Sequence, residues 1–184
     1  AGRAPLLACA TDPPPGGASL PAQMEFRMTD SRPPLFAHRL GFTEQPVGLR
    51  WRSGRRTVTE FDLMNFATTC GFSESLFMDA EAAAEIGFAG RLIPGALTMA
   101  LAEGLVISSG ALNGTGMAFL GGNIETKAPV FVGDTLEVWV EVTAARLTSR
   151  GDRGVVTTRN EVRNQRGELV MVFTPSRMIK KLEA

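Results

Sequence analysis

Between Ala96 and Ile107 the chain leaves almost no polar side to the helix it predicts: Ala96, Leu97, Met99, Ala100, Leu101, Ala102, Leu105, Val106 and Ile107 are all apolar. A helix that is apolar nearly all round has to be enclosed by other elements rather than laid on a surface. About 14 residues at 1.5 Å each make a rod of roughly 21 Å, enough to cross several strands set about 4.8 Å apart.

The sequence downstream supplies such strands. Leu136, Val138, Val140 and Val142 alternate with Glu137, Trp139, Glu141 and Thr143, the pattern of a half-buried strand. Gly151-Asp152-Arg153-Gly154 reads as a turn, Val156 to Val162 as a second strand, and Asn164-Gln165-Arg166-Gly167 as another turn. In the strand that follows, Leu169, Met171 and Phe173 face one way and Val170 and Val172 the other. Met117 to Lys127 is a further strand, interrupted at Gly121-Gly122 as by a bulge and ended by Pro129. One apolar helix followed by an antiparallel meander predicts an α+β fold with the sheet curled round the helix.

Two shorter helices precede it. Thr59 is a good N-cap with Asp62 three residues on, Phe61, Met64 or Leu63, and Ala67 form the apolar face, and Gly71 stops the helix. Ala80 to Ile86 is Ala-rich, with Asp79 as its natural N-cap and Gly87 as its stop. Arg50-Trp51-Arg52-Ser53-Gly54-Arg55-Arg56 reads as a solvated turn, with an anion cradle as the alternative. Residues 41–184 are expected to form a single domain. Residues 1–40 are rich in Pro, Gly, Ala and Arg without periodicity and read as an irregular tail or arm, of which 33–40 can pack through Leu35, Phe36 and Leu40. Met24 and Met28 are candidate native starts, which would make the residues before them a leader or tag.

Net charge is zero over 184 residues, so no global field draws the chain to nucleic acid or to an anionic membrane. No apolar run is long enough to span a bilayer. Cys9, Cys70 and the single histidine, His38, have no spacing that suggests zinc and nearly exclude a histidine-activated nucleophile. No metal, no nucleic-acid partner and a cytoplasmic location are the expectations.

Two segments carry more specific information: Gly71-Phe72-Ser73-Glu74-Ser75-Leu76-Phe77-Met78-Asp79, and Gly90-Arg91-Leu92-Ile93-Pro94-Gly95-Ala96-Leu97 at the entry of the long helix. Together they resemble the active-site segment of the MaoC-like (R)-specific enoyl-CoA hydratases, which typically read G-D-x-N-P-x-H-x-D and then G-R-x-x-H-G. Thr57 to Glu60, Ala128-Pro129-Val130, Gly133 to Leu136 and the hairpin Val162 to Glu168 extend the resemblance over residues 42–180. It implies the hot-dog fold. It also implies that the backbone amides of Gly95 and Ala96 receive a thioester oxygen.

At the positions of the family's catalytic Asp and His stand Phe72 and Phe77, which carry no proton. Glu74 is the nearest replacement base, a solvent-facing loop carboxylate being its other reading; Asp79 is either a helix cap or a catalyst. Phe72, Phe77 and Pro94 would line an acyl pocket, or the two rings would simply fill core. Ser73 and Ser75 have no base to activate them, and Glu103 is expected at an exposed end or a dimer seam. The resemblance implies no cofactor, coenzyme A being part of the substrate or ligand. The implied partners are an acyl-CoA or acyl-carrier-protein thioester and a second subunit, in a homodimer or a heterodimer with a paralogue. Three activities fit: a divergent enoyl-CoA hydratase or dehydratase, a catalytically silent hot-dog subunit, and a hot-dog thioesterase. The alternative reading of the basic segment 50–56 is a cradle for the phosphates of coenzyme A.

Overall fold

A computed structural model describes residues 32–35 and 38–182; the expectations for Cys9, Phe36 and the first 31 residues lie outside them. Five strands form one antiparallel sheet in the order β1-β3-β4-β5-β2: β1 Arg50–Thr57, β2 Gly116–Thr126, β3 Thr135–Leu147, β4 Arg153–Arg163 and β5 Leu169–Lys180. Before β2 come four helices: α1 Glu60–Cys70, α2 Ser75–Met78, α3 Ala80–Glu85 and the long α4 Gly95–Ser108.

The core lies between α4 and one face of the sheet. Leu97, Leu101, Ala102, Leu105 and Val106 of α4 meet Leu136, Val138, Val140 and Val142 of β3, with Val156 and Val162 of β4 and Met171 and Phe173 of β5 beside them. This is the α+β arrangement the pattern predicts. The far side of α4 is not enclosed by this chain, since Ala96, Ala100 and Ile107 stay exposed.

Two local expectations need correction. Arg50–Thr57 is a strand rather than a turn: it pairs with β3, and Trp51 and Ser53 point inward and are buried while the arginines face out. Phe61 is 74% exposed, and α1 buries Leu63 and Ala67 instead. β5 continues past Phe173 to Lys180, with Pro175 opposite Gly122 of β2. At Gly122 a Cβ would sit 2.6 Å from the Thr174 carbonyl oxygen, so only glycine allows that approach.

α1 opens as its sequence predicts. The Thr59 side chain accepts from the Asp62 amide, the Asp62 carboxylate accepts from the Thr59 amide, and Gly71 closes the helix in the left-handed region at φ 76°. At the N-terminal side of the sheet, the Arg52 amide donates to the Pro34 carbonyl at 2.9 Å and Leu35 bridges Arg52, so residues 34–35 cover part of the β1 edge. The domain's entry and exit meet: the Phe42 amide donates to the Lys180 carbonyl at 3.0 Å, and the Leu40 amide to Ala111 at 3.0 Å.

Candidate active site

The entry of α4 is fixed from below and open above. Leu92, Ile93 and Pro94 are buried, the Ile93 amide donates to the Val130 carbonyl at 2.8 Å, and Leu92 bridges Phe131. Pro94 is the N-cap and offers no side-chain cap. Gly95 and Ala96 are exposed, and the first intrahelical bond of this turn runs from the Thr98 amide to Pro94. The leading amides therefore point out of the positive end of the helix dipole. Beside them lies the end of β2: a Cβ on Gly95 would be 3.6 Å from Thr126 Oγ1.

The Phe72–Asp79 segment is tied to this entry by Arg91, a residue sequence reasoning passed over although it belongs to the motif before the helix. Its Nε and Nη2 donate to the Phe77 carbonyl at 3.1 and 2.7 Å, and its Nη1 pairs with Glu60 of α1. Nη2 also lies 3.1 Å from Met64 Sδ. One guanidinium thus joins α1, the short α2 and the strand-like lead into α4. Bidentate donation to a single carbonyl needs the planar fork that a lysine lacks.

Phe72 and Phe77 form an aromatic cluster with Phe66. The ring centroids of Phe66 and Phe72 are 5.0 Å apart, and those of Phe72 and Phe77 6.2 Å, both pairs tilted. Phe66 and Phe77 are half-buried and pack against the core. Glu74 is exposed and opens α2 without a side-chain cap. Asp79 caps α3, its carboxylate accepting from the Glu81 amide at 2.9 Å.

Glu103 is half-buried in the middle of α4 rather than at an exposed end. It pairs with the buried Arg177 of β5, whose Nε donates to Glu103 Oε1 at 3.0 Å and whose Nη1 donates to Thr158 Oγ1 at 3.2 Å. Beside this pair, between α4 and the start of β2, is an open groove of about 310 Å³ lined by Ile107, Met117 and Phe119 among others.

The outer face of the sheet carries a second charged array. Glu137 pairs with Arg32 at 2.6 Å and Arg52 at 3.0 Å, and Glu161 with Arg163 at 2.7 Å and Arg159 at 3.2 Å. Arg163 also lies over the Trp139 ring, 4.6 Å from its centroid. Burial pushes the Glu137 carboxyl up, but hydrogen bonds from Arg32 and Trp139 and the charges of Arg32 and Arg52 outweigh it and hold the group below its usual value. Burial pushes the Glu141 carboxyl up; the charges of Arg50 and Arg159 oppose this, the charge of Glu161 adds to it, and the balance stays above the usual value. Among the described residues no group of three or more His, Cys, Asp or Glu is placed to hold a metal ion. No described helix is long and apolar enough to cross a membrane.

Comparison with known proteins supports the same frame. The family model described as FAS1-like, dehydratase domain region, matches residues 45–173. The chain is 32% identical over 128 residues to the (R)-specific enoyl-CoA hydratase of Aeromonas caviae, a match covering 68% of this chain and 88% of that protein. It is 35% identical over 115 residues to Protein MaoC of Klebsiella aerogenes, covering 61% of this chain but only 32% of that longer protein.

Among solved structures, the MaoC-like dehydratase of Rhodospirillum rubrum superposes with a TM-score of 0.71 at 29% identity, covering 79% of this chain and 99% of that one. The HadBC (3R)-hydroxyacyl-ACP dehydratase complex of Mycobacterium tuberculosis gives 0.61 at 25%, covering 72% and 96%. A second M. tuberculosis protein, described as having a double hot-dog fold, gives 0.68 at 22%, covering 78% and 44%, and bears on the fold alone. The chain therefore belongs to the MaoC-like dehydratase family and has its hot-dog fold.

Proposed function

We propose that this protein binds an acyl-CoA or acyl-carrier-protein thioester at the α4 entry and acts as a divergent enoyl-thioester hydratase or dehydratase. The observation that carries this reading is the uncapped, exposed helix start at Gly95 and Ala96, beside a loop held in place by Arg91. The thioester oxygen would accept from those amides, which stabilise the negative charge that develops on it as an enolate forms. Hydration then needs a base to take a proton from water as its oxygen bonds to the β-carbon, and an acid to return a proton to the α-carbon. Glu74 is the carboxylate of the loop that is free of a side-chain cap bond and is assigned the proton transfer. Asp79, engaged at the start of α3, is assigned to holding the loop, with any proton transfer secondary. Phe72, Phe77 and Pro94 form the apolar wall.

A second reading follows from the aromatic cluster. With Phe66, Phe72 and Phe77 clustered where the relatives' acid–base pair is expected, the chain would serve as an acyl-holding subunit beside an active paralogue. A thioesterase using Glu74 to activate water is the third. One experiment separates them: crotonyl-CoA is followed both by loss of enoyl absorbance and by release of free thiol. Hydration gives the first without the second, and thioester hydrolysis gives the second. Binding with neither signal marks the silent subunit. Within the hydratase reading, Glu74→Gln should lower kcat at least tenfold with KM nearly unchanged; an active parent indifferent to that change removes Glu74 from the mechanism. If the parent is inactive, Phe72→Asp combined with Phe77→His should create hydratase activity.

A further inference from the structure

The outer face of the sheet, turned away from α4, holds a cavity of about 270 Å³ lined by three guanidinium groups, those of Arg32, Arg55 and Arg163. Arg55, Glu137 and Arg163 are cross-strand neighbours on β1, β3 and β4, with Arg55 opposite Glu137 and Glu137 opposite Arg163. Arg32 arrives from the segment that covers the β1 edge. Trp139, two residues along β3 and on the same face, forms an aromatic wall.

A ladder of cross-strand ion pairs would account for such a row if each arginine sat on the carboxylate facing it. This row is not built that way. Glu137 is the one carboxylate among the described residues that line the cavity. It accepts from Arg32 at 3.4 and 2.6 Å, from Arg52 at 3.0 Å and from Trp139 Nε1 at 2.8 Å. These bonds fill the roughly four acceptor sites a carboxylate has. Arg55, directly opposite, is exposed and has no hydrogen bond or ion pair among the described residues. Arg163 is held on three sides: Nη1 donates to the Gly167 carbonyl at 2.9 Å, Nη2 donates to Glu161 at 2.7 Å, and the group lies 4.6 Å from the Trp139 centroid. Each Nη nitrogen keeps a second N–H. Three positive groups against one negative group leave two positive charges on the cavity wall.

We propose that this cavity binds the dianion of a phosphate-bearing small molecule, a phosphate monoester or diphosphate group, between Arg32 and Arg163, with Arg55 closing on it. Planar guanidinium forks match the oxygens of a phosphate, and two uncompensated positive charges suit a dianion better than a single carboxylate. Arg32 and Arg163 are already immobilised by their contacts, so binding has to order Arg55 alone. The cavity is smaller than the roughly 300–1,000 Å³ of pockets that enclose a whole drug-sized ligand. The anionic group therefore enters and the rest of the molecule stays outside. The inference stands apart from the thioester reading, because the phosphate can belong to coenzyme A or to a separate metabolite with the same recognition chemistry.

The test is isothermal titration calorimetry on the full chain at constant ionic strength, with inorganic pyrophosphate, butyryl-CoA and butyryl-pantetheine as probes. Arg55→Met removes the unpartnered cation and should leave the unfolding temperature unchanged. The expected result is at least tenfold weaker binding of a phosphate-bearing probe by that variant, with butyryl-pantetheine, which has no phosphate, bound as before. Arg150→Met, which removes one charge from the turn between β3 and β4, should leave every affinity unchanged. Weaker binding of pyrophosphate alone assigns the site to a separate phosphorylated molecule, and weaker binding of butyryl-CoA assigns it to coenzyme A. The inference is overturned if Arg55→Met weakens neither, if it weakens butyryl-pantetheine as much as butyryl-CoA, or if Arg150→Met has the same effect. Absence of any thioester binding overturns the thioester reading and leaves this inference to the pyrophosphate result.

Discussion

Glu141 sits on the outer sheet face at 3% exposure, with its Oε2 3.7 Å from Arg50 Nε and without a hydrogen bond. Burial, and the neighbouring Glu161 charge, raise its carboxyl pKa above the usual value despite Arg50 and Arg159. A folded-state pKa above the unfolded value means that the folded form holds its proton more tightly. The associated stability is present below the unfolded pKa and is lost as pH rises through the folded one. Glu141→Gln should therefore raise the unfolding temperature by a few degrees at neutral pH, and the gain should vanish near about pH 4, where the carboxyl is protonated anyway. Thermal unfolding followed across that range checks it; a gain of equal size at both ends would put the cause elsewhere. Phe77 offers a second residue-scale prediction. It is half-buried rather than core-enclosed, so Phe77→Ala should cost about 1–3 kcal/mol, less than the 3–5 of a fully buried ring, yet weaken acyl-CoA binding at least tenfold. A large loss of stability with unchanged affinity would make the ring plain core.

At the scale of elements, β2 and β5 approach so closely that Gly122 has no room for a methyl group. Gly122→Ala should cost about 1–3 kcal/mol through the backbone shift it forces, measured by urea unfolding. Gly104, with nothing within 4 Å of its would-be Cβ, should accept alanine without loss and serves as the control, since alanine favours a helix interior. What the sequence disclosed about these elements follows the range of the interactions that make them. The Thr59–Asp62 cap, the Gly71 stop and the alternation of β3 are local, and each was legible. β1 was not, because its arginines belong to the outward side of a strand whose register shifts between Arg52 and Arg55, which hides the period of two. The continuation of β5 past Phe173 was not either, since a proline within a run argues against a strand, and Pro175 nonetheless lies in β5 opposite Gly122. In the site, the helix entry at Gly95 could be read from its own residues. The Glu103–Arg177 pair, 74 residues apart, and the Arg91 tether to Phe77, 14 residues away, could not, since the residues can be marked locally but their pairing is made only by the fold.

For the whole molecule, the two edges of the sheet differ. Part of the β1 edge is covered by residues 34–35, whereas β2 is exposed along nearly its full length and displays Met117, Phe119, Leu120 and Ile124. A long apolar edge with unpaired amides invites a second strand, and a second copy or a paralogue is the partner proposed for it. Ile124→Lys should shift the protein toward monomer in light scattering at micromolar concentration while keeping its circular dichroism. A parent that is already monomeric, with no paralogue recovered by pull-down, would leave that edge without the proposed role. The junction of Phe42 with Lys180 has a different consequence. Because the stretch from residue 38 to residue 182 begins and ends near one hydrogen-bonded corner, the order in which its elements are threaded is separable from the way they pack. A circular permutant that joins residue 182 to residue 38 through a short Gly/Ser linker, and opens instead at the turn between Arg150 and Gly151, should fold to the same sheet. The same corner would let the unit be spliced into a longer polypeptide as a cassette.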